Sequence, residues 1–486
     1  MMGHEDAVHA PYYFLMHPVI AIGGTSATVL RLPSLIAMTL AAGLTGALGR
    51  RLAQGSGLPG ATAVGLLAGL SLAAVPLTTR YAQEARPYAL ATLFAVAASY
   101  AFVRAIESPR WRRWVVYAAA LLLAGLFNLF ALLLAVAHGL SLIWLSRAKP
   151  AVSGQDRQPA VTGQHGQRAV TGQDGQPAAV TRVVVWRWLA SCVAAVVLLS
   201  PVIALSAGQS GQLNWVKRPG LGTLVTLARD FAGSTALIAV VALLALLGCV
   251  AGLGSAVGAR RPALTAIALP WLVVPPVLLI AVSVIHPYYV ERYVLFCLPA
   301  LAVLVAAGLV WLVRQTRRAV AGRGLRPSLA DVLAAVPSVA LALIIVGVLI
   351  GPQREIRQVG ARPDNLKAVA AVVAGHERPG DAVLYLPPDA GLVGVAYPAA
   401  FRHLRDVGLG RSALASGTLR GIAARPQVVA SRLRHVRRLW TVQWSNPLSR
   451  STAAPRQLTK LLSGLHLIGR WRIQSMVLRL YATSSR

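Results

Sequence analysis

The stretch Arg80-Tyr81-Ala82-Gln83-Glu84-Ala85-Arg86-Pro87-Tyr88 sets two arginines, a glutamate, a glutamine and two tyrosines between two long apolar runs. Charges beside a membrane-length apolar segment are costly unless they face water, headgroups or a ligand. Three further polar islands interrupt the apolar sequence, at residues 3–17, 209–219 and 286–293. Arg80, Arg86, Lys217, Arg218 and Arg292 could hold a phosphate, arginine offering a planar two-pronged fork. Glu5, Asp6, Glu84 and Glu291 could act as general bases or metal ligands. Tyr12, Tyr13, Tyr88, Trp215, Tyr288 and Tyr289 could stack on a sugar or line a lipid slot. Taken singly, aromatics at span ends are ordinary interface anchors and an arginine there ordinarily snorkels to the headgroups. Anchoring does not require carboxylates, so both charge signs together with aromatics point beyond it.

These residues must be carried by a membrane scaffold. Of 486 residues, 56% are hydrophobic and only 13% charged, too apolar for a soluble chain. A crossing needs ~20 apolar residues. On that measure ten spans are expected, near 28–49, 61–79, 87–106, 113–126, 128–146, 187–206, 236–254, 263–285, 292–313 and 329–350. The run from 114 to 145 is long for one helix and short for two, so it is split near Asn128. Arginine clusters at 50–51, 110–113, 260–261 and 314–326 mark the cytoplasmic side. All four polar islands then fall on the outer side. The net charge of +32 is met by anionic lipid headgroups, and nucleic acid is not an expected partner.

Three domains follow. Residues 1–27 read as an amphipathic remnant of a first outer loop, 28–350 as the transmembrane domain, and 351–486 as an extracytoplasmic α/β domain. Within the second, 151–182 repeat a nine-residue unit (AVSGQDRQP, AVTGQHGQR, AVTGQDGQP) too poor in apolar residues to build a core; a disordered cytoplasmic insert is expected. In the tail, Asn365 should cap a helix running to His376, and 382–386 should form a strand. A helix near 427–436, a strand at 439–444, a helix near 456–463 and strands over 466–482 complete a small open sheet. Cys192, Cys249 and Cys297 lie in apolar runs as small buried hydrophobes. His4, Asp6, His9 and His17 match no metal-ligand spacing, so no metal site is assigned.

The segments HAPYYFLMHPVIAIGGTSATVLRLPSLIAM, RYAQEARPYAL, QSGQLNWVKRP and HPYYVERYVLFCLPAL, in that order, resemble an early span and successive outer loops of the dolichyl-phosphate-mannose-protein mannosyltransferase-like proteins. These form glycosyltransferase family 39, in the GT-C superfamily with the bacterial aminoarabinose transferases. The resemblance covers about residues 1–350. It implies an α-helical multi-pass membrane domain of about ten transmembrane helices, followed by the small extracytoplasmic α/β domain. It also implies a mannose-like hexose moved, with inversion, from a polyprenyl-phosphate sugar donor to a protein, glycan or lipid acceptor at the outer membrane face. Within that chemistry our assignment, made from the residues present, is that Arg86 and Arg292 would bind the carrier phosphate, with Lys217 at the donor entrance. Glu84 would be the acidic contributor, Asp6 the second choice, and Tyr88, Trp215, Tyr293 and Gln83 would line the sugar and lipid site. Beyond the polyprenyl-phosphate sugar as donor substrate no cofactor is assigned, and a divalent cation is one the outer carboxylates could hold. The family's first span and its acidic outer loop are expected either upstream of Met1 or lost in a truncated copy, and a non-catalytic, degenerate envelope-assembly protein is the main alternative. A transporter or flippase ranks lower, because it calls for polar residues at the membrane midplane and internal repeats.

Overall fold

The computed structural model describes residues 7–147, 181–209, 216–254, 263–321, 327–362, 364–419, 421–445, 462 and 465–483. Two compact units are present. One comprises Val8–Gly208 and Val216–Gln353; the other comprises Arg354–Arg486 together with Ala7 and Gln209, whose Oε1 accepts the Ala7 N–H at 2.9 Å.

The first unit is helical throughout its described length. Its helices are α1 (Ala10–Gly23), α2 (Ala27–Gly55), α3 (Ala61–Ala74), α4 (Pro76–Ala82), α5 (Tyr88–Glu107), α6 (Trp111–Phe127) and α7 (Leu133–Arg147). After the insert come α8 (Arg182–Ala207), α9 (Leu221–Ala232), α10 (Ile238–Gly254), α11 (Leu264–Ile285), α12 (Leu298–Ala321) and α13 (Pro327–Arg357). Among the described residues eight helical segments are long and apolar enough to cross a membrane, and nine if α3 and α4 count as one bent span. The expected span at 113–126 is α6, whose 17 residues fall short of the ~20 a perpendicular crossing needs. The break expected near Asn128 is there: its side chain accepts the Phe130 N–H at 3.2 Å and caps the next turn. In α1 the exposed side, with Tyr13, Phe14, Ile20 and Ile22, is as apolar as the buried one, a difference from the amphipathic segment expected. The insert at 151–182 lies outside the described residues but for Thr181 and Arg182.

In lipid there is no hydrophobic gain from helix contact, so packing falls to small residues that let backbones approach. A methyl built on Gly65 would lie 2.6 Å from the Gly46 carbonyl oxygen, and one on Gly69 would lie 2.9 Å from that of Ala42, which locks α2 to α3. Gly248 and Gly308 do the same between α10 and α12, each against a backbone carbonyl of the partner helix. α5 and α12 are the most buried spans, and α13 the most exposed. A polar knot not anticipated from sequence sits in this core: buried His138 bonds Ser99 at 3.2 Å and Tyr117 at 3.1 Å and stacks on Phe102.

The second unit is α/β, with a five-stranded sheet of order β2-β1-β5-β7-β6. Asn365 caps α14 (Leu366–His376) by accepting the Ala368 N–H at 3.1 Å. β1 (Ala382–Leu386) leads through α15 (Leu392–Ala396) to β2 (Arg405–Asp406), then to the ribbon of β3 (Leu409–Arg411) and β4 (Ile422–Ala423), which flanks α16 (Ala413–Ser416). α17 (Pro426–Leu433) returns the chain to β5 (Arg438–Trp444), parallel to β1 on its other side, and the hairpin β6 (His466–Ile473) and β7 (Met476–Ala482) closes the sheet antiparallel. Side chains alternate by face, as a pleated strand requires. Val383, Trp440 and Val442 pack with Val369 and Val373 of α14 and Val393 of α15, whereas Ala382, Leu384 and Leu439 pack with Val429 and Leu433 of α17. The expected helix at 456–463 lies outside the described residues save Leu462. The sequence reading did not anticipate α15, α16 or the short strands β2, β3 and β4, whose apolar periods are too brief to register.

Candidate functional site

The residues from 80 to 88 are placed by two prolines. Pro76, at the first position of α4, lacks the N–H that would continue α3, and the axis bends there by 67°. Pro87 precedes α5, where the missing N–H costs no helical bond. Between them, Gln83 ends α4, half-buried, with its N–H on the Arg80 carbonyl at 3.2 Å. The loop is tied to α2 by Ser34, whose hydroxyl donates to the Arg86 carbonyl at 3.2 Å and leaves the Arg86 guanidinium exposed.

Onto this loop comes Arg292, from a 3-10 stretch, Glu291–Cys297, that opens into α12. Arg292 Nε donates to the Tyr88 hydroxyl at 3.1 Å. Its guanidinium carbon lies 5.8 Å from the Tyr88 ring centre and 5.3 Å from that of Tyr293, within cation–π range of both. The rings extend as a row: Tyr81 meets Tyr88 edge-on at 5.6 Å, Tyr88 lies 6.0 Å from Tyr293, and Tyr293 lies 5.1 Å from Phe130. The backbone of Tyr293 is fixed by Asn128, whose amide nitrogen donates to its carbonyl at 2.9 Å. Four elements distant in sequence therefore hold one guanidinium in an aromatic cage.

Two carboxylates on and near this loop are each paired with another arginine. Glu84 pairs with Arg80 at 3.5 Å, one helical turn back. Asp230, in the last turn of α9, pairs with Arg229 at 3.1 Å. Burial pushes the Asp230 carboxyl above the usual range; Arg229 pulls it back, the nearby Glu291 carboxylate raises it further, and Arg80 lowers it. Burial and the Glu291 and Asp230 carboxylates together raise the Tyr289 phenol. The Tyr289 hydroxyl is buried with no hydrogen-bond partner among the described residues. Asp230, Glu291, Arg80 and Tyr289 thus share one electrostatic neighbourhood. Asp230 was missed from sequence, although one signal was present. An acid in the last turn of a helix opposes the helix dipole and calls for a local reason.

Of the residues singled out from sequence, Arg292, Tyr88, Tyr293, Glu84, Arg86 and Gln83 come to this end of the helical unit. Lys217 is exposed in the extended stretch before α9 and makes no hydrogen bond or ion pair to the described residues. Asp6 and Trp215 lie outside the described residues. No group of three histidine, cysteine or acidic side chains among the described residues converges to hold a metal ion, and Glu84 and Asp230 each pair with an arginine. At the far end of α5, about 30 Å away over its 20 residues, Arg51 grips Glu107 with Nε at 3.1 and 2.9 Å from the two carboxylate oxygens.

The family profile described as dolichyl-phosphate-mannose-protein mannosyltransferase matches residues 9–153. No curated protein matches the chain. Among solved structures, ArnT from Cupriavidus metallidurans in the apo state aligns at TM-score 0.57 with 14% identity, over 97% of this chain and 87% of that one. The same protein bound to undecaprenyl phosphate aligns at TM-score 0.55 with 14% identity, over 96% and 87%. The archaeal oligosaccharyltransferase AglB from Archaeoglobus fulgidus, in complex with an inhibitory peptide and a dolichol-phosphate, aligns at TM-score 0.50 with 12% identity, over 98% and 66%. At such identities the likeness is one of fold. The chain therefore has the fold of these solved structures and, over residues 9–153, resembles the dolichyl-phosphate-mannose-protein mannosyltransferases.

Proposed function

We propose that this protein is a glycosyltransferase that moves a sugar from a polyprenyl-phosphate carrier to an acceptor at the outer membrane face. The observation that carries the reading is Arg292, fixed by the Tyr88 hydroxyl and flanked by two tyrosine rings beside the loop that bears Glu84 and Arg86. A preorganised cation is worth most where negative charge develops, and in this reaction charge develops on the departing phosphate. The structural neighbours solved with undecaprenyl phosphate and with a dolichol-phosphate support a carrier of that chemistry.

In the proposed reaction the acceptor oxygen attacks the anomeric carbon from the face opposite the phosphate. The new carbon–oxygen bond forms as the bond to the phosphate oxygen breaks, with inversion, and the electron pair leaves on the phosphate. Arg86 and Arg292 neutralise that charge, and Lys217 attracts the donor at the entrance. The acceptor proton passes to a carboxylate. Glu84 is the first candidate and Asp6 the second; Asp230 joins them because its raised affinity for a proton suits a base. Tyr88, Tyr293, Gln83 and Trp215 line the sugar and lipid. The transferred unit is a mannose-like hexose, the acceptor is a protein, glycan or lipid, and the α/β unit is extracytoplasmic.

The test is transfer from decaprenyl-phosphate mannose, with binding of undecaprenyl phosphate measured alongside in nanodiscs. Arg292→Ala should lower transfer at least ~100-fold and weaken carrier binding, the scale of losing a charge-stabilising donor. Full transfer by Arg292→Ala overturns the assignment. Carrier binding with no transfer by the parent chain favours the non-catalytic alternative.

A further inference from the structure

We propose that the α/β unit carries a second site, a saccharide-binding crevice at the carboxyl ends of β1 and β2. Open α/β sheets form ligand crevices at the carboxyl ends of their parallel strands. Here β1 and β2 run parallel, with Val383 opposite Asp406, and β2 is a two-residue edge strand. The stretch from Pro388 to Phe401, which contains α15, walls the crevice on one side, and the β3–β4 ribbon walls it on the other. The crevice is open to solvent on one side and has a volume of about 420 Å³, within the range of about 300–1,000 Å³ found for small-molecule sites.

The lining selects the ligand. Tyr385 is partly exposed in the lining, and buried Phe401 backs it with a ring 6.2 Å away and inclined at 45°, an apolar wall of the size of a pyranose ring. Asp406 supplies a half-buried carboxylate held in place by the Gly408 N–H at 2.8 Å on one oxygen, and a carboxylate so fixed can accept from neighbouring sugar hydroxyls. Arg402 stands exposed at the rim as a donor. One wall depends on glycine: a methyl on Gly394 would lie 2.8 Å from the Tyr385 hydroxyl oxygen and would push that ring out of place. Aromatic faces, one oriented acid and one donor match a ligand with apolar ring faces and many hydroxyls. The same acid disfavours phosphates and uronic acids; of the two arginines near it, Arg432 is already committed to the Val407 and Leu409 carbonyls, which leaves only Arg402 at the rim. The class is therefore a neutral saccharide unit. That it would be part of a glycan acceptor rests on the transferase reading; that it binds does not.

The test is saturation-transfer NMR on the full chain in nanodiscs, with the methyl glycosides of mannose, glucose, galactose and arabinofuranose, mannobiose, and mannose 6-phosphate as probes. The expected result is saturable transfer to ring protons of at least one neutral saccharide and little to the phosphate. Asp406→Asn should weaken that binding at least ~10-fold, and Gly394→Val should abolish it, while Arg292→Ala leaves it intact. Near-ultraviolet circular dichroism and limited proteolysis of the α/β unit, unchanged from the parent, certify that Asp406→Asn and Gly394→Val are folded. Equal binding by folded Asp406→Asn and Gly394→Val, preference for the phosphate, or no saturable binding of any probe overturns the site. Because Arg292→Ala should lower transfer at least ~100-fold yet retain saccharide binding, failure of the crevice and failure of the transferase assignment are distinguishable.

Discussion

Replacing Tyr88 by phenylalanine removes one oxygen from the aromatic cage and little else. The Tyr88 side chain is buried, its ring packs against Tyr81 and Tyr293, and its hydroxyl accepts from Arg292 Nε at 3.1 Å. A hydrogen bond to a charged group contributes about 1.5–3 kcal/mol net. Both ring contacts to the guanidinium survive the substitution, and each holds it by about 0.5–2 kcal/mol, so the loss belongs at the lower end. We expect about 1.5 kcal/mol, which is roughly a tenfold fall in transfer efficiency and a similar rise in the Kd for undecaprenyl phosphate. The assay is a double-mutant cycle in nanodiscs, with both quantities measured for parent, Tyr88→Phe, Arg292→Ala and the double variant. If Tyr88 acts by positioning Arg292, its removal in the Arg292→Ala background should cost almost nothing more. Independent, additive losses would refute the cage as the means by which Tyr88 contributes.

Two further outcomes follow from the same structure. Burial first, and Glu291 next, raise the folded-state pKa of Asp230 above its unfolded value. The stabilisation linked to its proton is then fully present below the ordinary carboxylate range and is lost as pH rises through the folded pKa. Asp230→Asn should accordingly melt higher than the parent at pH 7, with the gap narrowing toward pH 4; a gap that widens on acidification contradicts the assignment. At the α10–α12 contact, a methyl on Gly308 would overlap the Leu244 carbonyl oxygen, whereas one on Gly347 meets nothing within 4 Å. Overpacking of this kind costs about 1–3 kcal/mol, so Gly308→Ala should lower the thermal midpoint in detergent while Gly347→Ala leaves it equal or slightly higher. Equal melting of the two variants would show that this helix pair separates freely.

Much of the scaffold was legible because it is written locally. A span is a run of apolar residues, a cap is one side chain before a helix, and a turn is a proline or glycine. So Asn365 announced α14, residues 382–386 announced β1, and Asn128 announced a break between α6 and α7. The convergence of residues 80–88 with 286–293 at one end was readable only as an inference from topology; the hydrogen bond from Arg292 to Tyr88 realises it across 204 residues of chain. The insert and the acid at position 6 remain matters of sequence, outside the described residues. Short elements such as β2, with two residues, carry no period to detect.

By itself the sequence determined that this chain enters a membrane many times, places polar loops at the span ends and continues into an α/β unit, because burial of apolar runs and local capping depend on neighbours along the chain. Only the tertiary structure decided which arginine is caged, that Asp230 shares a field with Glu291 and Arg80, and that Tyr385, Phe401 and Asp406 line one crevice. Helices in lipid gain little from apolar contact as such. Their pairing is settled by the close approach of Gly46 to Gly65 and of Gly248 to Gly308, a matter of shape that hydropathy does not record.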